Sequence, residues 1–536
     1  MNLKVANKAG PREWIGLAVI ALPCMIYAMD LTVLNLAVPH LSAALAPTSA
    51  QMLWIVDIYG FVLAGSLITM GTLGDRIGRR KLLLIGALCF GMASVLAAFS
   101  TSAPMLIATR ALLGLAGATL APSTLSLIRN MFLDEQERSV AIGVWIASFS
   151  IGGTIGPLVG GALLEHFWWG SVFLVSVPVM AMLLLLGPWL LPEYRDEAAG
   201  RLDLLSALQS LLAVLGVIYG LKRWAEGGAG PLASGAVVAG VLLGIAFVRR
   251  QRRLSDPLID LQLFGRPTFR AALTINTLGF FVAFACFLLV SQYLQLVLGL
   301  SPLQAGLWTV PSGLAFAIGS TIAPRWVRVM PAGRIVACGL LTASVGFAVM
   351  ARAGRGDGPL LLVSAYTLLS LGLSFVFTLS VDLMVGAAPP ERAGAAAAIQ
   401  ETSSELGGAL GIAMLGSMTV AVYRMTLGQA APDGLPAHIL EAARADLNSA
   451  VLAAVGLPAG QGQALREASR QAFETAFQVC ANVSAGVALG AAILAALMLR
   501  SPTRPPDAMA TPSPSAEPPG HAAAPSAASP CAPSNP

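Results

Sequence analysis

The chain has 536 residues, 56% of them hydrophobic and only 11% charged, with a formal net charge of +5. A soluble domain carries about 25% charged residues, so there is too little polar surface here to cover a water-soluble globule. The positive residues sit in short connections between apolar runs rather than in a patch, which excludes a nucleic-acid partner and leaves lipid as the solvent.

In chain order, the first apolar run follows Lys4, Lys8 and Arg12 and extends over about 14–38, too long for the core of a cleaved signal, so it is read as an uncleaved first span. Further runs rich in Leu, Ala and Gly follow at about 52–73, 82–99, 104–127, 139–163, 171–191, 203–221, 231–248, 272–297, 304–323, 333–351, 360–382, 394–420 and 476–499. Most of these about fourteen runs are 18 to 25 residues long, enough for roughly 30 Å of hydrocarbon, and they lack the alternation of barrel strands. An all-α membrane protein follows, because only helices and closed barrels satisfy their backbone in lipid.

The expected organisation is a cytoplasmic N-terminus (1–13), a six-helix bundle (14–191), an extra helix pair with its linkers (192–271) and a second six-helix bundle (272–499). The second bundle carries a long, partly helical outer loop over 424–475. Residues 500–536 are almost all Pro, Ala and Ser and read as a disordered cytoplasmic tail. Basic residues cluster between spans two and three (Arg76, Arg79, Arg80, Lys81), eight and nine, and ten and eleven. By the positive-inside rule these loops and both termini are cytoplasmic, with Lys222, Arg223, Arg352 and Arg355 as outer-side exceptions.

Two glycine patterns stand out. In Gly71-Thr-Leu-Gly74-Asp75-Arg76-Ile-Gly78-Arg79-Arg80 the glycines permit close helix ends and a tight turn, and Asp75 and the arginines can form charge pairs that open and close. A related basic loop at 323–334 hints at the internal repeat typical of secondary transporters. Gly152, Gly156 and Gly160 recur every four residues, with Pro157 and Gly161 beside them, which predicts a flat, bent helix sealing the route between the halves.

Charges inside spans are costly, about 2.5–3.5 kcal/mol each on insertion scales, and are functional candidates by default. Asp30, Asp57, Glu401 and Glu405 qualify, with Glu401 and Glu405 four apart on one helix face. A carboxylate in a low-dielectric cavity binds a proton or a lipophilic cation but not both, and that competition is coupling. Arg110 is deep in span four and has to face a carboxylate, a polar cavity or carbonyls, either as a relay or as an ion-pair strut. Asp382 is read as structural. Trp54, Tyr59, Trp145, Tyr293 and Trp308 are candidate rings for cation–π contact. The histidines lie in loops or the tail, the six cysteines form no CxxC pair, and no phosphate-binding GxxxxGK[ST] loop is present. No metal, cofactor, ATPase domain, catalytic constellation or obligate protein partner is expected.

The Gly71–Arg80 segment resembles the loop signature of the major facilitator superfamily. Asp30-Leu-Thr32-Val-Leu-Asn35-Leu-Ala-Val-Pro39 resembles the first-helix motif of its fourteen-helix drug:proton antiporters, Arg110 with Gly114 the fourth-helix motif, although Leu113 stands where Gln is usual, and Gly152–Gly161 the fifth-helix antiporter motif. Trp54-Ile-Val-Asp57-Ile-Tyr59 is similar to the second helix of the QacA and SmvA type, exporters of quaternary ammonium compounds and methyl viologen. The resemblance covers nearly all of residues 10–500. It implies two pseudo-symmetric six-helix bundles with an inserted pair, alternating access, and a proton-coupled efflux antiporter for lipophilic mono- and divalent cations, whose intramembrane acids serve drug and proton. Relatives with an extra acid in span ten depart from this chain, whose span ten has none. The alternatives are proton-coupled export of another small metabolite and a non-transporting membrane sensor with this fold.

Overall fold

A computed structural model describes residues 8–499, except 48, 196–202, 228–229, 255–256, 260, 355, 357, 390–392, 433–434 and 446. The expected tail at 500–536 lies outside the described residues. The helices are α1 (Pro11–Leu45), α2 (Ser49–Ile77), α3 (Arg79–Ala98), α4 (Ala103–Met131), α5 (Glu135–His166), α6 (Ser171–Leu174), α7 (Ser176–Leu190), α8 (Leu204–Gly227), α9 (Pro231–Gln251), α10 (Pro267–Gln292), α11 (Pro302–Trp326), α12 (Ala332–Met350), α13 (Gly358–Ala387), α14 (Ala393–Ala430), α15 (Ala437–Ala445), α16 (Leu447–Ala453) and α17 (Ala459–Met498). Among the described residues, 14 helical stretches are long and apolar enough to cross a membrane, with α6 and α7 forming one of them.

Local chemistry sets the ends. Asp134 caps α5 by accepting from the N–H groups of Gln136 and Glu137, and Ser301 and Gln304 form a capping box around Pro302 at the start of α11. Gly78, at φ +112°, separates α2 from α3. A side chain there would be strained and would also meet the Glu193 carboxylate at 2.7 Å.

The helices α1 to α7 enclose one core, around Leu63, Leu113 and Trp145, and α10 to α17 another, around Leu289, Tyr293 and Phe477. Between them, α8 packs on both α2 and α14, burying Phe61, Ala64, Val214, Ile218, Leu221, Ala409 and Ala413 together. The helix α9 lies outside α8. The Arg250 guanidinium ties the end of α9 to the start of α8 through two bonds to Asp203, at 2.7 and 3.1 Å. Gln251 bridges Ser206 and the Leu258 N–H, both at 2.7 Å.

The bonds from Arg250 and Ser206 hold the Asp203 carboxyl well below the usual carboxylate range. A depressed acid stabilises the fold fully above its unfolded value, about pH 4, and loses that contribution as the pH falls through the folded value. Asp203→Asn is therefore expected to speed hydrogen exchange in the last turn of α9 at pH 7, with variant and wild type converging in acid.

The segment 424–475 is largely helical, because α14 continues to Ala430, α15 and α16 follow, and α17 begins at Ala459. The helix α14 ends just before Pro432, and Pro458 immediately precedes the first turn of α17. The short helices α15 and α16 are packed rather than loose. Ala443, Leu447 and Ala450 are buried with Leu465, Ala472 and Phe473, and the Tyr423 hydroxyl donates to the Ala443 carbonyl at 2.9 Å.

Candidate functional site

The buried charges meet across the bundles. Arg110 on α4, 1% exposed, donates from Nη1 to Asp30 Oδ2 on α1 at 2.6 Å. Its Nε donates to the Ile55 carbonyl at 3.1 Å and its Nη2 to the Val56 carbonyl at 3.5 Å. The guanidinium lies 4.8 Å over the Tyr59 ring and 6.0 Å from that of Phe173. Gly114, one turn along α4, makes this reach feasible, since a Cβ there would stand 2.5 Å from the Tyr59 carbonyl oxygen. A small pocket lined by Met29, Asp30, Val33, Phe173 and Ser176 opens beside Asp30.

From α14, Glu401 and Glu405 face the same region. Glu401 is 9% exposed and interacts electrostatically with Glu405 and with Cys24. Both glutamates act on Tyr27, while Glu405, Asp30 and Arg110 all act on Tyr59. The Tyr27 ring is 6.4 Å from Tyr59 and stands edge-on to Phe149 at 5.5 Å. Trp145 is edge-on to Phe149 at 4.7 Å and donates to Thr124 Oγ1 at 2.9 Å, which also contacts Cys24 Sγ at 3.5 Å. Tyr59 thus stands between the Asp30–Arg110 pair and Tyr27, with the two glutamates within electrostatic reach of these rings. Sequence reasoning missed Tyr27, Phe149 and Thr124. The signal for Tyr27 was its position three residues before Asp30, on the same helix face.

A second constellation lies where α2 ends and α14 begins. Asp75, 4% exposed, and Arg79, 0% exposed, pair at 2.8 Å. The other Asp75 oxygen accepts from the Ala395 N–H at 3.1 Å, an anion on a helix N-terminus. Gly71 permits this approach, because a Cβ would meet Ala398 Cβ and the Gly394 carbonyl at 2.6 Å. Gly74 is buried, Arg76 is half-buried, and Arg80 donates to the Pro188 and Leu191 carbonyls at 3.0 Å. Next to it, Asp382 on α13 accepts from Ser139 on α5 and lies 3.6 Å from Arg138, while Arg129 donates to the Val385 and Ala388 carbonyls. Both bundles are joined at this face.

The family model of the Major Facilitator Superfamily matches residues 20–412. The chain belongs to this superfamily. It is 41% identical over 448 residues to the multidrug efflux pump LfrA of Mycolicibacterium smegmatis, covering 84% of this chain and 88% of that one. It is 36% identical over 458 residues to the methyl viologen resistance protein SmvA of Salmonella typhimurium, covering 85% and 92%. The human organic anion transporter MFSD10 shares the fold, with a TM-score of 0.56 at 18% identity over 91% of this chain and 100% of that one. The chain is accordingly a multi-pass membrane protein and a secondary transporter of the efflux type, not an enzyme.

Within the superfamily fold, α5 lies between α1 of its own bundle and α11 of the second, and its glycine face is turned to α1. A Cβ on Gly152 would meet the Met25 carbonyl oxygen at 2.2 Å, and one on Gly160 would meet Val33 Cγ1 at 2.7 Å, so this face packs on α1 inside the first bundle. Gly156 is buried, and Gly161 has open space. The seam with the second bundle is made by another side of α5, where Gly143 meets Ser320 and Thr154 meets Gly313 of α11. Four-residue spacing favours one close neighbour, and the helix of the same bundle takes it.

Of the candidate rings, Tyr59 lies against the Arg110 guanidinium, and Trp145 is one ring removed, on Phe149 and Thr124. Tyr293 instead packs on Phe477 at 4.8 Å in the second core, and Trp308 is 36% exposed on α11. Trp54 stacks on Tyr219. Asp57 is half-buried on α2. The side chains of Thr32, Asn35, Pro39 and Pro157 lie outside the described residues.

Proposed function

We propose that this chain exports lipophilic mono- and divalent cations, such as quaternary ammonium biocides, planar dyes and viologens, across a bacterial inner membrane in exchange for protons. The observation that carries this reading is the line of buried acids and rings. Glu401 and Glu405 from one bundle reach the Asp30–Arg110 pair of the other through Tyr27 and Tyr59. Two carboxylates one turn apart, Glu401 buried and Glu405 half-buried, repel each other, and a proton or a cation relieves that repulsion. A lipophilic cation loses little hydration on entering, and the ring faces favour it. The names of LfrA and SmvA, a multidrug pump and a methyl viologen resistance protein, support the same substrate class.

The basic loops and both termini are assigned to the cytoplasm. With Asp75 holding the N-terminus of α14, the inner gate is closed. Glu401 lies six residues beyond Ala395 on that helix, about 9 Å along its axis, so rocking that releases Ala395 also moves both glutamates. In the inward state the ionised acids take a cation from the cytoplasm or inner leaflet. After rocking, outer protons neutralise the acids and release it. Protonating Asp30 also releases Arg110, which couples the first bundle to the same event. Exchange of one proton for a monovalent cation moves no net charge, so a pH gradient drives it at about 1.36 kcal/mol per unit.

In liposomes with an imposed pH gradient, the wild type is expected to move ethidium against its gradient, to stop when the gradient is collapsed, and to leave an anionic dye in place. Failure of the folded protein to move any cation overturns the proposal.

A further inference from the structure

A second group of rings lies away from the central acids, at the seam between α2 and α8 of the extra helix pair. Trp54 and Tyr219 are nearly parallel, at 11°, with centroids 6.3 Å apart. Phe61 stands edge-on to both, at 6.2 and 6.3 Å. The Arg223 guanidinium lies over the Tyr219 ring at 5.6 Å, so a cation already occupies that ring face. Trp54, Asp57 and Phe61 are three and four residues apart and share one face of α2, which places a carboxylate beside the rings. Phe61 is buried with Ala409 and Ala413 of α14, which lie one and two turns beyond Glu405, away from the Asp75 end. The seam therefore continues from the central glutamates toward the opposite face.

An interfacial aromatic belt directs its rings at lipid headgroups. These rings face one another instead, from buried Phe61 through half-buried Tyr219 to Trp54, which is 40% exposed at the outer edge of the seam, and α8 itself touches both bundles.

We propose that this seam is a second binding site for aromatic cations, with Tyr219 of the extra helix pair as one wall, Trp54 and Phe61 as the others, and Asp57 as the counter-charge. It rests on the cation-export reading and gives the inserted helices a part in it. A cation released from Glu405 meets this site next, and displaces Arg223 from the Tyr219 ring.

The test is equilibrium binding of ethidium to the purified full-length protein in detergent. Glu405→Gln removes the central component and is expected to leave a weaker one. Adding Tyr219→Leu, which preserves bulk in the seam, lowers that residual affinity about tenfold, and Tyr219→Phe, which keeps the ring, restores it. Thermal unfolding of each variant establishes that it is folded. If Glu405→Gln alone removes all binding, or if folded Tyr219→Leu binds like its parent, the seam is packing only and the proposal is overturned. Binding is read without transport, so failure of the export reading, no gradient-driven movement by the wild type, is a separate result.

Discussion

Asp30→Asn is expected to abolish gradient-driven export and to destabilise the first bundle, and a second substitution separates the two losses. Asparagine keeps the shape of the side chain but leaves Arg110, 1% exposed, without its anion. Removing one partner of a buried ion pair costs about 3–5 kcal/mol. Part of this is offset here, since Arg110 keeps the Ile55 and Val56 carbonyls and the Tyr59 ring. The double variant Asp30→Asn with Arg110→Leu removes both charges and should recover most of the thermal stability in detergent while remaining unable to couple transport to protons. Full coupled transport by folded Asp30→Asn would reduce the pair to a strut. Recovery of transport in the double variant would make Arg110 an inhibitory charge rather than a relay.

Glu401→Gln and Glu405→Gln are expected to fail differently. Glu405 acts on both Tyr27 and Tyr59, at the junction between the two bundles' charges. Its loss should stop export of mono- and divalent cations alike. Glu401 acts on Tyr27 and Cys24 and lies deeper on α14, nearer the Asp75 end. With Glu401→Gln one carboxylate remains at this point, enough to exchange a proton for a monovalent cation. A divalent cation then leaves uncompensated charge, and the membrane potential opposes export at about 2.3 kcal/mol per charge per 100 mV. The measurement is uptake of ethidium and of methyl viologen into liposomes at a fixed pH gradient, with the potential set independently. Equal loss of both substrates in Glu401→Gln, or equal retention, would contradict this division of roles.

The helix that carries Glu401 and Glu405 is also the one that Asp75 of α2 holds at its first turn, which gives these predictions a common mechanical basis. Asp75 holds the first turn of α14 through Ala395, and Arg129 and Asp382 tie α13 to α4 and α5 next to it. The proposed mechanism therefore couples charge on the glutamates to closure at that face.

The sequence by itself determined that this is a membrane protein of about fourteen helices, which acids lie within them, and where glycines let helices and turns close up. These are local properties. Span length follows from hydrocarbon thickness, and a carboxylate inside a span is conspicuous wherever its neighbours lie. The tertiary structure alone decided the partners. Arg110 needed an anion, and only the rotation of α1 against α4 made that anion Asp30. Tyr27 became the ring between the two acid sites because α14 lies across from α1. The glycines of α5 found their close neighbour in α1, while another side of α5 met α11, and Tyr219 of the inserted pair met Trp54. Helix rotation and crossing are set by packing between segments far apart in the chain, and apolar periodicity says little about them where both lipid and core are apolar.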